Sequence, residues 1–111
     1  MADELNSPNH PAEEDVEIVR QLIGQYLTAM QRRPGPPIGD DRDLVRVLTG
    51  KNPLRAVVIS PTHRAIDREG RLLDRWGTPY HLHPLDATAI SVRSAGPDRR
   101  LFTPDDLVAG E

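Results

Sequence analysis

Apolar and polar positions along the chain fall into two periodicities. Val16, Val19, Leu22, Ile23, Tyr26, Leu27 and Met30 recur every three to four residues, which is the stripe of a helix with one face in a core. The spacing predicts a helix over 12–32. Pro11 suits its first turn, and Glu13, Glu14, Asp15 and Glu17 put negative charge at the positive end of its dipole. Arg32 and Arg33 stand where cations favour a carboxyl end. Pro34-Gly35-Pro36-Pro37 then ends the helix, because proline can neither donate a backbone hydrogen bond nor fit inside it. A shorter helix follows, with Asp40 or Asp41 as N-cap, Leu44, Val45, Val47 and Leu48 on its apolar side, and Gly50 as C-cap.

Beyond Asn52-Pro53 the period changes. Ala56-Val57-Val58-Ile59 reads as a strand or a packed extended segment, and residues 61–71 are polar with a turn at Arg68-Glu69-Gly70. Trp76-Gly77-Thr78-Pro79 is turn-like. Tyr80-His81-Leu82-His83 and Ala89-Ile90-Ser91-Val92-Arg93 both alternate, so 79–93 reads as a hairpin turning at Asp86-Ala87-Thr88. Residues 94–106 form a loop, and Leu107-Val108 adds a last apolar contact. Helices followed by strands give an α+β fold: a long N-terminal helix packed on a small antiparallel sheet. Residues 1–10 are expected as a flexible tail and 11–111 as a single domain. The core should join Val19, Leu22, Ile23, Tyr26 and Leu27 to Trp76, Tyr80, Leu82, Ile90 and Val92, with Trp76 anchoring the sheet.

Composition narrows the function classes. The 111 residues are 37% hydrophobic and 28% charged, enough for one modest core. No run approaches the ~20 apolar residues of a membrane span. A net charge of −3 argues against general nucleic-acid binding. Without cysteine there are no disulfides or thiolate metal sites. The cations are 13 arginines and Lys51. Residues 1–9 lack the apolar stretch of a signal peptide. A periplasmic or cell-envelope location is expected if a signal or anchor has been removed, and a cytoplasmic one otherwise.

The candidate chemistry lies in the last third. His81 and His83 alternate with Tyr80 and Leu82, so they read as solvent-facing rather than as a zinc pair completed by Asp74 or Asp86. Ser60 with His63, Ser91 and Ser94 occupy no nucleophile elbow or glycine-rich loop, which favours a protein that is not an enzyme. Asp98, Asp105 and Asp106 bracket a short loop. Three carboxylates and loop carbonyls suit Ca²⁺, a hard cation that takes six to eight oxygen ligands. Equally, Arg99 and Arg100 could neutralise the acids with no metal.

Asp74-Arg75-Trp76-Gly77-Thr78-Pro79-Tyr80, then Ser94-Ala95-Gly96-Pro97-Asp98, then Asp105-Asp106-Leu107, resembles the carboxyl-terminal part of the major pseudopilin of type II secretion and related prepilin-type proteins. The resemblance covers residues 72–108. It departs from the family at Asp98-Arg99, where Asp-Gly is common, and in lacking the hydrophobic half of the pilin helix and its processing motif. The resemblance implies a pseudopilin-like head with a calcium ion held by Asp98, Asp105 and Asp106. It also implies a structural or adaptor role through contacts with other protein subunits, pseudopilin-like or self. A cytosolic interaction module unrelated to secretion is the alternative, and a small hydrolase a more remote one.

Overall fold

The computed structural model describes residues 5–9, 11–29, 38–86 and 89–110. Helix α1 spans Glu13–Ala29 and helix α2 spans Asp41–Leu48. Strands β1 (His81–Asp86), β2 (Ala89–Ser94) and β3 (Leu107–Ala109) form an antiparallel sheet in the order β1-β2-β3. This is the expected small α+β fold. Helix α1 has 17 residues, about 25 Å of helix. Met30, Arg32, Arg33, the proline run at 34–37 and the hairpin tip at 87–88 lie outside the described residues.

Helix α1 packs on β2 and β3. Its apolar stripe buries Val16, Ile18, Val19, Leu22, Ile23 and Tyr26 in one cluster with Tyr80, Leu82, Ile90 and Val92, and Leu27 packs against the cluster's edge. Helix α2 adds Leu44, Val45, Val47 and Leu48 to the same cluster. Asp40 is its N-cap and accepts from the Asp43 amide at 2.9 Å, while Gly50, just past Thr49, takes a φ of +116°. The segment at 56–59 is not a strand. Val58 and Ile59 both donate to the Leu48 carbonyl, at 2.8 and 3.1 Å, which buries Ile59 and leaves Val57 outside.

Two expectations are corrected. Trp76 does not anchor the core: it is half-buried in the tight turn after Asp74, outside the apolar cluster, and Tyr80 is the buried aromatic there. Residues 5–9 are packed rather than loose. Leu5 is fully buried, and its carbonyl accepts from Arg64 Nε at 3.1 Å. Asn6 donates to the Leu73 carbonyl at 2.7 Å and accepts from the Tyr80 hydroxyl at 2.9 Å. A polar segment can carry one apolar residue into a core when its own polar groups find partners there. Asp15 lies in the first turn of α1 as expected and is also buried; it accepts from the Asn6 amide at 3.0 Å and pairs with Arg75.

Both Leu5→Ala and Leu22→Ala should therefore lower stability by about 2–5 kcal/mol, the usual range for deleting a buried leucine side chain. Chemical denaturation checks this; a loose tail would leave the Leu5→Ala midpoint at the wild-type value.

Candidate functional site

The residues that carry the resemblance meet at one end of the sheet. Asp74 is 4% exposed. Its Oδ1 accepts from the Trp76 amide at 3.0 Å and the Thr78 amide at 2.9 Å, closing the turn in which Gly77 takes a φ of +85°. Its Oδ2 accepts from Ser94 Oγ at 2.8 Å, twenty residues away. Three donors on one carboxylate compensate its burial. Ser94 ends β2, and its Oγ also accepts from the Gly96 amide at 3.3 Å. Gly96 has a φ of +77°, and a Cβ there would meet the Asp105 carbonyl oxygen at 2.5 Å. The Ser-x-Gly pattern is thus required by the fold: serine holds Asp74, and glycine lets the returning loop pass.

That loop brings two of its three acids, Asp98 and Asp106, to the Thr103 hydroxyl and leaves Asp105 apart. Asp98 accepts from the Arg100 amide at 2.9 Å and from Thr103 Oγ1 at 2.7 Å. Asp106 Oδ2 accepts from Arg93 Nη1 at 2.9 Å and the Phe102 amide at 2.6 Å, and its Oδ1 faces Thr103 Oγ1 at 3.3 Å. Asp105 is exposed and takes no part in these bonds, its backbone lying against Gly96. Among the described residues, no three His, Asp or Glu side chains are grouped to hold a metal ion. The arginine on Asp106 is Arg93 of β2, not Arg99 or Arg100. Burial opposes ionisation of Asp106, but the bonds from Arg93, Phe102 and Thr103 outweigh it and hold the carboxyl below its ordinary value.

Phe102 is the unexpected feature. Its φ is +66°, a region bulky residues rarely adopt, and it is 70% exposed. The Arg93 guanidinium lies 5.2 Å from the ring centroid, and the His81 ring meets it edge-on at 5.4 Å. Register explains the meeting: His81 and Val108 both pair with Arg93 across the sheet. His83 is exposed as expected, while His81 is half-covered. Sequence reasoning missed Arg93, Thr103 and Phe102. The signal lay in Leu107-Val108, which is the start of β3 rather than a stray contact and which brings the loop back beside Arg93.

The serine–histidine candidates form turns. His63 Nδ1 accepts from the Ala65 amide at 3.0 Å, and Ser60 Oγ lies 2.9 Å from Thr62 Oγ1. A cleft of about 320 Å³ between α2 and β1 is walled by Arg71, Asp41, His81 and Leu101. Arg71 and the Leu72 amide already bind both Asp41 oxygens, at 2.7–3.1 Å, so these charges face each other rather than the cleft.

Comparison with protein-family models, curated proteins and solved structures finds no match to this chain. The pseudopilin resemblance therefore rests on the quoted residues alone. No helix among the described residues is long and apolar enough to cross a membrane.

Asp74→Ala strands three donors and should cost about 2–4 kcal/mol, against roughly 1 kcal/mol for Ser94→Ala; urea melts would rank them. The lowered Asp106 pKa sets a pH dependence. Its contribution is present above the ordinary carboxylate value of about 3.9 and is lost as pH falls through the lower folded value. Between pH 5 and 3 (roughly the carboxylate window), the wild-type melting temperature should fall more steeply than that of Asp106→Asn. Parallel slopes in a thermal melt series would contradict this.

Proposed function

We propose that this domain is a non-enzymatic structural or adaptor subunit that acts through protein–protein contacts, in the manner of a pseudopilin head. The observation that carries the reading is Phe102. A large ring is displayed to solvent on strained backbone, with its amide fixed by Asp106 and its ring held by Arg93 and His81. Strain of this kind persists only where surrounding bonds enforce it, and it gathers at sites that bind something. A ring already fixed before contact loses little freedom on binding, and aromatic side chains with arginine dominate the energetics of protein interfaces.

What supports the pseudopilin form of this reading is that the quoted motif residues have structural duties. Asp74, Ser94 and Gly96 join the turn, the hairpin and the loop, so the motif builds a head. The exposed Val108 of β3, which pairs with Arg93, extends the contact surface. The partners on this reading are other subunits of an envelope assembly, and the location is the periplasm or cell envelope.

A photo-crosslinking amino acid at position 102, expressed in the source cells, tests the proposal. The expected products join the chain to subunits that carry a hydrophobic pilin helix, and they disappear when the probe is moved to the exposed turn residue Glu69. Adducts only with cytosolic proteins would support the alternative interaction module. Absence of any adduct at 102, or turnover of ester or phosphate substrates by the purified chain, would overturn the reading.

A further inference from the structure

The calcium ion implied by the resemblance does not fit the loop as it is folded. Both Asp98 oxygens and Asp106 Oδ2 are engaged by protein donors, and Asp105 stands apart. We propose that Arg93 takes the place of that cation: it is the loop's resident counter-charge, so the loop closes and fixes Phe102 without a metal ion.

The Asp106 side chain is 3% exposed, and a covered carboxylate needs an opposite charge or must lose its own. Arg93 supplies that charge at 2.9 Å. It does so from the central strand, paired with His81 on one side and Val108 on the other, so sheet register places it independently of the loop. A guanidinium can donate in its plane to Asp106 and lay its face on Phe102, at 5.2 Å from the ring centroid. A metal ion could neutralise the carboxylate but could not hold the ring in this way. One residue thus joins the neutralisation of the loop to the display of Phe102. Asp98 needs no cation of its own, because the Arg100 amide and Thr103 hydroxyl cover it. The inference rests on the loop resemblance used above and not on any partner, so failure of the crosslinking test leaves it standing.

The test is a set of thermal melts on the full chain: wild type, Arg93→Ala, Arg93→Lys, and Arg93→Ala combined with Asp106→Asn. Each is melted in chelator and in ~5 mM calcium, a concentration above weak-site affinities. Wild type should melt at one temperature in both. Arg93→Ala should melt lower by on the order of 5–10 °C for a domain of this size, in chelator and in calcium alike, because Asp106 is then a single freed carboxylate without the further ligands calcium needs. The double variant, with the Asp106 charge removed as well, should melt above Arg93→Ala. A wild-type shift with calcium would overturn the proposal. So would an Arg93→Ala protein that melts like wild type, or a double variant that melts no higher than Arg93→Ala. If Arg93→Ala does not fold, Arg93→Lys takes its place: an ammonium keeps the charge without the planar fork, so a loss that shrinks when Asp106→Asn is added is expected, and a loss that the added substitution leaves unchanged would overturn the proposal.

Discussion

The Asp74 carboxylate stands where the connection from α2, the hairpin and the returning loop meet. It closes the turn at 74–78, which delivers Tyr80 into the core, and it holds Ser94 at the end of β2. From Ser94 the chain passes through Gly96 and crosses the backbone of Asp105. The position of β3, and with it the loop that displays Phe102, follows from that one buried group. An amide-rich environment makes this tolerable, since a carboxylate with three donors keeps much of what it loses by leaving water.

The same device recurs. Asp15 receives Arg75 and the Asn6 amide, Asp41 receives Arg71 and the Leu72 amide, and Asp106 receives Arg93 and the Phe102 amide. Each acid joins segments far apart in sequence or folds a loop back on the sheet, and each pairs a guanidinium with a main-chain amide. A domain of 111 residues has a limited core and, lacking cysteine, no covalent staples. Buried or half-buried Asp–Arg links fix its long connections instead. Arginine suits this use because its planar fork matches a carboxylate and its face can rest on an aromatic ring. The bias of 13 arginines against one lysine, unremarkable as composition, matches the bonds the fold makes.

The two faces of the sheet differ accordingly. One is sealed by α1 through Val92 and Ile90. The other carries His81 and Arg93, both partly covered, and the exposed ring of Phe102. The resemblance to the pseudopilin pattern directs attention to the acids of the loop, whereas the geometry directs it to what those acids hold in place. Exposure of the Phe102 ring and neutralisation of Asp106 are two aspects of one arrangement, because the guanidinium that satisfies Asp106 also lies against the ring.

The sequence by itself determined the elements whose signals are local. The stripe from Val16 to Leu27 specifies α1, Asp40 specifies the start of α2, and the alternation around Leu82 and Val92 specifies the hairpin. These depend on periodicity and capping, which act over a few residues. Only the tertiary structure decided which polar groups would meet. Nothing near Leu5 in sequence shows that Asn6 will find Leu73 and Tyr80, or that Asp74 will find Ser94. Nothing near Asp106 shows that its arginine is Arg93 rather than the adjacent pair at 99 and 100. Trp76 was misplaced for the same reason: an aromatic's size favours burial, but its turn was already committed by the Asp74 bonds. Partner choice among charges is fixed by strand register and loop closure, long-range constraints that a local pattern does not contain.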